Sequence, residues 1–135
     1  MIIKDFDTFV VGNPPPRFGG RYFIFVKLVT DSGVVGYGEA YCATFGAKTV
    51  ETMLRDTAER FVVGRDPFHI EALWRSIYGA GYNLRPDVSL MAVLSALEMA
   101  CWDIIGKECG KPVYELVGGQ VHDRLRTDTS IYPEQ

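Results

Sequence analysis

Residues 92–118 read AVLSALEMACWDIIGKECGKPVYELVG, and this stretch decides the fold. Together with Leu90, the residues Val93, Leu94, Leu97, Cys101 and Ile104 recur at steps of three and four, giving one continuously apolar helical face. The helix is predicted to begin near Pro86 or Asp87 and to end by Gly110, where a glycine suits a left-handed cap. Pro112 to Val117 then forms a short helix closed by Gly118-Gly119. An apolar face of that length must be covered by other elements, and these lie upstream.

Two shorter helices precede it. Val50, Met53, Leu54, Ala58, Phe61 and Val62 line one face of the first, which is ended by Gly64. The second opens with Asp66 as N-cap and Pro67 at the first helical position, and buries Ile70, Leu73, Trp74, Ile77 and Tyr78. Before Thr44 the period is two rather than three and four. Strands are expected over Ile2–Val11, Arg21–Thr30 and Val34–Glu39. In the second, Tyr22, Ile24, Val26 and Leu28 share a face, while Phe23, Phe25 and Val29 partly fill the other. Asp31-Ser32-Gly33 supplies the turn into the third strand. The Gly12–Gly20 stretch holds Pro14, Pro15 and Pro16, which forbid ladder pairing, so it reads as a long loop. Strands followed by helices indicate an α+β domain: a three-stranded antiparallel meander and then a helical bundle. A polar connector, Gln120 to Arg124, leads into Leu125–Tyr132, one further strand with no partner in the sequence. Residues 1–119 are therefore expected to form one domain, with 120–135 as connector and strand.

Composition narrows the functional classes. The chain has 135 residues, 47% of them hydrophobic, and a net charge of −3 with basic residues scattered, which argues against nucleic acid. No apolar run approaches the ~20 residues needed to span a bilayer, so no membrane partner is expected. The N-terminus, Met1-Ile2-Ile3-Lys4-Asp5, reaches charge at once, unlike a signal peptide. Cys42, Cys101 and Cys109 lack metal-type spacing and read as reduced thiols of a cytoplasmic protein.

Taken singly, the residues hold almost no catalytic signature. His69, in the first turn of the second helix, and His122, in the connector, read as solvated surface residues. Asp103 and Lys107 stand four apart, which a helix-surface ion pair explains at ~0.3–0.5 kcal/mol. Glu98 and Trp102, also four apart, read as packing. Gly36-Tyr37-Gly38-Glu39 is too poor in glycine for a dinucleotide or phosphate cradle.

Read together, the same features resemble a known family. The stretch Ala92–Gly118, with small residues at Ser95 and Ala96, then Glu98, Ala100, Asp103, Gly106-Lys107, Pro112-Val113 and Leu116-Val117-Gly118, is similar to the N-terminal signature of the mandelate racemase and muconate lactonizing enzyme group of the enolase superfamily. Asp31 to Glu39, ending in glycine, tyrosine, glycine and glutamate, resembles the family's turn and third strand. Asp66-Pro67 and Leu73-Trp74 fit its second helix, and the resemblance covers essentially the whole chain. Within the group, acid-sugar dehydratases of the galactonate and mannonate type are the best fit.

The resemblance implies that residues 1–119 cap a modified (β/α)₈ barrel, of which Leu125–Tyr132 would be the first strand and the remainder is absent from this chain. In the family the barrel holds Mg²⁺ and the acid/base residues that abstract a proton next to a substrate carboxylate. No catalytic residue and no metal ligand can be carried onto this sequence, and the chain alone is expected to be inactive. What carries over are two loops that close over the substrate, here Gly12–Arg21 and Tyr41–Lys48. Arg17, Phe18, Thr44 and Phe45 are the candidate substrate-binding residues: Arg17 for a polyhydroxy acid, the aromatics as lid. The plainer alternative is a surface loop stiffened by its prolines. Tyr82-Asn83-Leu84-Arg85 is a further segment for which two readings stand, an approach to the barrel mouth and the simpler one of a plain lead-in to the third helix. The expected function is the capping domain of a Mg²⁺-dependent acid-sugar dehydratase, partnered by its own barrel and assembled as a homo-oligomer when full length. A racemase, epimerase or cycloisomerase of the same group, or a non-catalytic interaction domain, are the alternatives.

Overall fold

The computed structural model describes residues 1–15, 17, 20–41, 45–80 and 87–128. Strand β1 (Ile3–Gly12), strand β2 (Tyr22–Thr30) and strand β3 (Val35–Ala40) form one antiparallel sheet in the order β1-β2-β3. Each lies within one residue of its expected start and end. Helices α1 (Ala47–Phe61), α2 (Ile70–Ala80), α3 (Val88–Cys109) and α4 (Val113–Leu116) follow.

The sheet's alternation sets its two faces. Ile24, Val26, Leu28 and Thr30 of β2 are buried toward the helices, as the period of two predicts, while Phe23, Phe25 and Val29 stay part-exposed on the other side. Register runs from Ile3 opposite Thr30 to Gly12 opposite Tyr22, with a bulge between Ile3 and Asp5. At the β2–β3 turn Gly33 takes φ +88, and the Asp31 carboxylate accepts the Ile2 N–H at 2.9 Å, binding the turn to the first strand. That hydrogen bond holds the Asp31 carboxyl below the usual carboxylate range.

Helix α3 is the centre of the core. Val93, Leu94, Ala96, Leu97, Ala100, Cys101 and Ile104 are all buried on it, and it packs against β2, β3, α1, α2 and α4. Each large apolar side chain here contributes about 1.5–3 kcal/mol by leaving water. Its ends are as expected: Asp87 accepts from the amides of Ser89 at 2.8 Å and Leu90 at 3.3 Å, and Gly110 closes the helix at φ +63. The expectation about apolar runs needs correcting, since α3 is by length and hydropathy able to cross a bilayer. A helix buried among others on several sides reads the same way as a span. Here Val93, Leu94, Leu97, Cys101 and Ile104 are buried in the core, while Val88 and Met99 are exposed.

Helix α2 also begins later than expected. Asp66 caps a turn rather than a helix: its carboxylate accepts the Phe68 N–H at 3.0 Å, and its carbonyl takes the His69 N–H at 3.1 Å. The first helical bond runs from Leu73 N–H to the His69 carbonyl at 3.0 Å, so His69 precedes α2. An Asx turn satisfies the backbone locally and delays the helix.

The contact between α3 and β3 is unusually close. A Cβ built on Gly36 would overlap the Ala100 carbonyl oxygen, and one on Gly38 the Ala96 carbonyl oxygen. Only hydrogen side chains let the two backbones approach this far. The glycines of Gly36-Tyr37-Gly38 are therefore a packing device. Asp103 and Lys107 complete it. They form the expected ion pair at 2.7 Å, but the Asp103 carboxylate also accepts the Tyr37 N–H at 2.9 Å, and Lys107 Nζ donates to the Val35 carbonyl at 2.8 Å. Both backbone groups belong to the sheet's edge strand, so the pair is a clamp on β3 rather than a surface ornament. The pair of Glu98 and Trp102 is likewise more than packing, with the indole N–H 3.4 Å from the carboxylate.

Leu125–Asp128 carries no regular secondary structure, and the rest of the expected strand, residues 129–132, lies outside the described residues. A strand needs a ladder partner, and the domain's sheet already ends at β1 and β3.

Candidate functional site

The meander brings the two capping loops to one end of the sheet. Strand β2 runs antiparallel to both neighbours, so its start meets the end of β1, with Tyr22 opposite Gly12, and the end of β3, with Ile24 opposite Ala40. The chain leaves β1 after Gly12 there and leaves β3 after Ala40 beside it; Ala47 and Lys48, expected in the second loop, belong instead to α1.

The first loop is built from side-chain and backbone bonds at its stem. Asn13 N–H donates to the Arg21 carbonyl at 2.9 Å, and its side-chain amide donates to the Gly20 carbonyl at 2.7 Å. Within the loop, Arg17 N–H reaches the Pro14 carbonyl and Gly20 N–H the Arg17 carbonyl, each at 3.1 Å. These two successive turns place Arg17 at φ +61, the left-handed region that costs a non-glycine residue roughly 1 kcal/mol. The Arg17 side chain is exposed. With Gly12, Asn13, Pro14, Pro15 and Arg21 it lines an open hollow of about 450 Å³. Among the described residues its lining includes two arginines and no carboxylate, a composition that suits an anionic or hydroxyl-rich guest.

The second loop ends at Phe45 and Gly46. Phe45 is 41% exposed, and its carbonyl accepts the Tyr22 hydroxyl at 2.8 Å. Gly46 then starts α1 by accepting from Thr49 at 3.0 Å and Val50 at 3.3 Å, with no side-chain cap. Arg17 and Phe45, two of the expected substrate residues, thus lie on adjacent loops at the same sheet end. Phe18, Thr44 and the Tyr82–Arg85 segment lie outside the described residues. Tyr22, Asn13 and Arg21 were not singled out by sequence. An asparagine before a proline run is a turn signal that points to Asn13, but nothing local shows that a strand tyrosine would reach the other loop.

A second hollow of about 310 Å³ sits among α1, α2 and the start of α3, lined by Met53, Phe61, Ile77, Leu90, Asp56 and Arg60 among others. Arg60 is already paired with Asp56 at 3.1 Å and lies over the Phe61 ring. Among the described residues no three His, Cys, Asp or Glu side chains converge as a metal would require. His69 and His122 are both exposed. The Cys101 thiol is buried on α3, and desolvation pushes its pKa from the ordinary 9.0 to about 12, with Glu98 adding to the effect.

Comparison with known proteins agrees with this architecture. The N-terminal-domain model of the mandelate racemase and muconate lactonizing enzyme family matches residues 18–118. A D-galactonate dehydratase from Ralstonia nicotianae is 42% identical over 113 residues, covering 84% of this chain and 28% of that protein. A D-galactonate dehydratase family member from Streptomyces bingchenggensis is 38% identical over 125 residues, covering 91% of this chain and 29% of its own length. The crystal structure of a protein from Labrenzia alexandrii DFL-11, assigned to the same group, superposes with a TM-score of 0.90 at 66% identity, over 93% of this chain and 32% of that one. The chain spans under a third of the length of each of these relatives. By its strand order, its glycine-packed third strand and this match, the chain belongs to the mandelate racemase/muconate lactonizing enzyme family of the enolase superfamily, as its N-terminal domain.

Proposed function

We propose that this domain is the substrate-specificity cap of a Mg²⁺-dependent acid-sugar dehydratase, working in the cytoplasm as a homo-oligomer. The observation that carries the reading is the placement of both loops at one end of a clamped sheet, in a chain 42% identical to a D-galactonate dehydratase. A dehydratase of this kind removes the proton next to the substrate carboxylate and expels the neighbouring hydroxyl. By likeness to the family, the metal and the proton-transfer groups are assigned to a C-terminal barrel. The cap's share is binding and orientation. Arg17 faces the substrate's distal hydroxyls, Phe45 covers it, and the closed loops exclude water, which strengthens every charge interaction beneath them.

The test is turnover by the full-length protein against a panel of six-carbon sugar acids, read as formation of the 2-keto-3-deoxy acid. Dehydration of at least one supports the reading. Exchange of the α-proton with solvent deuterium and inversion at that carbon, without dehydration, would replace it with a racemase or epimerase.

A further inference from the structure

We propose that β1 pairs edge to edge with β1 of a second copy of this chain, through the backbone of Thr8–Gly12. The pairing deepens the homo-oligomer proposed above by naming its contact, and it does not depend on the reaction.

Alternation along the strand fixes which backbone groups face outward. The Asn13 N–H donates to the Arg21 carbonyl, so the pairs Val11–Phe23, Phe9–Phe25 and Asp7–Lys27 are the ones that exchange bonds with β2. The N–H and C=O groups of Phe6, Thr8, Val10 and Gly12 therefore point away from the sheet. Elsewhere the sheet's edges are closed. On β3, Asp103 and Lys107 occupy the Tyr37 N–H and the Val35 carbonyl. At the start of β1, Ile3 is bonded both ways, its N–H to the Arg65 carbonyl at 2.9 Å and its carbonyl to the Gly64 N–H at 2.8 Å. The Phe6 N–H turns to the Asp5 carboxylate at 2.8 Å. Among the described residues no group meets the outward backbone of Thr8, Val10 and Gly12. Phe9, Val10 and Val11 are exposed around it. A bare, apolar edge is a template for another strand.

This window is complementary to itself, which selects a second copy as the occupant. A two-fold axis at Val10 sets Val10 against its own counterpart and Thr8 against Gly12 of the second copy, in about six hydrogen bonds. The next pair outward would join Phe6 to Pro14, and neither offers an N–H: the proline has none, and that of Phe6 is taken. The ladder thus stops at the same pair on both sides of the axis. Phe9 and Val11 then face each other across it on the outer side of the sheet, joining the two apolar patches that the stacked Phe23 and Phe25 rings extend. No like charges meet: Asp7 falls opposite Asn13, whose own neighbour across the sheet is Arg21, opposite in sign. On the inner face the Thr8 hydroxyl stays bonded to Glu51 and Arg55, so the pairing leaves that contact in place.

The experiment uses the full-length protein. Phe9→Cys and Val11→Cys combined in one chain put thiols face to face across the axis, in the closer, non-hydrogen-bonded type of pair. Mild oxidation should give a covalent dimer on a non-reducing gel, while the wild type, carrying only its native cysteines, should not. Val10→Lys sets two ammonium groups opposite each other and should halve the mass read by light scattering. Mixing it with Val10→Glu should restore that mass, which a merely destabilised strand would not do. The Gly12 N–H should exchange at least ten-fold more slowly in the wild type than in Val10→Lys. A monomeric wild type, an unchanged mass in Val10→Lys, or no cross-link overturns the proposal, and a slow Gly12 N–H in those cases assigns the edge to a strand of the same chain. Where Val10→Lys does not fold, the cross-link decides. None of these readouts needs turnover, so a failure of the dehydratase reading leaves them standing, and their failure removes the oligomer contact without touching that reading.

Discussion

The Tyr37 backbone N–H donates to the Asp103 carboxylate at 2.9 Å, so a helix side chain supplies the partner that an edge strand otherwise takes from water. The same carboxylate holds Lys107 at 2.7 Å, and Lys107 reaches Val35, making a closed circuit between two turns of α3 and two residues of β3. As a part-exposed ion pair alone this would be worth under 1 kcal/mol. The backbone bonds raise the expected cost of Asp103→Ala to about 1–2 kcal/mol. Asp103→Asn keeps an acceptor for Tyr37 and should lose less than half as much. Urea unfolding of the two variants checks the order, and equal losses would return the pair to a simple salt bridge.

Gly38→Ala should be far more damaging. The added methyl would overlap the Ala96 carbonyl oxygen, a backbone atom that cannot swing aside, so strand and helix must part. Overpacking of this kind costs about 1–3 kcal/mol or more. Gly79→Ala is the contrast, because no described residue lies within 4 Å of its new methyl and the site is helical. That change should stabilise by up to ~1 kcal/mol. Thermal midpoints moving in opposite directions for the two alanines are the expected result.

Cys101 should be chemically silent in the native protein. Burial raises its pKa to about 12, so the reactive thiolate is absent at neutral pH. Alkylation read by mass spectrometry should label exposed Cys109 and leave Cys101 until the chain unfolds. The same shift acts on stability. The unfolded chain ionises this thiol near 9.0 while the folded chain holds its proton, so stability is unaffected below that pH. Above it, stability falls as pH rises toward 12, by at most ~1.4 kcal/mol per pH unit. Cys101→Ala should flatten this slope in urea titrations at pH 8 and pH 10, whatever it does to the baseline.

The role proposed for Arg17 can be tested apart from its effect on stability. On the proposed reading, Arg17→Ala in the full-length protein should lower kcat/KM roughly ten- to hundred-fold on long acid sugars, the worth of one charge-assisted hydrogen bond at ~1.5–3 kcal/mol. The loss should shrink on a truncated acid lacking the distal hydroxyls. Arg17→Gly removes the same guanidinium but suits the left-handed backbone at φ +61, so it should lose specificity without lowering the thermal midpoint. Equal losses on long and short acids would leave the loop as a stiff surface turn.

The fold was legible because its signals are periodic. The steps from Leu90 to Ile104, the alternation from Tyr22 to Leu28 and the cap at Gly110 each report a local geometry, and each is found where the spacing places it. Helix α2 was misplaced because Asp-Pro opens both helices and Asx turns, and only the tertiary path distinguishes them. The site was legible only as two loops. Their meeting at one sheet end follows from the meander, but the reach of Tyr22 to Phe45 spans 23 residues and leaves no mark in either neighbourhood. Asp103 is the clearest case of a correct pairing with an incomplete role. Spacing finds its helix neighbour Lys107, and nothing in spacing reveals a strand 66 residues away.

Contact between Gly36, Gly38 and the α3 carbonyls is made of main chain on main chain. Its distance is therefore fixed by bond lengths and van der Waals radii common to all residues, and side-chain identity elsewhere in the core barely alters it. The root of the second loop, three residues beyond Gly38, inherits that fixed origin. A lineage can then rewrite the loops freely, changing their length, charge and bulk, while the frame they are measured from stays put. Directed evolution of new substrate preferences should accordingly find its tolerated changes in residues 13–21 and 41–46 and almost none at the two glycines.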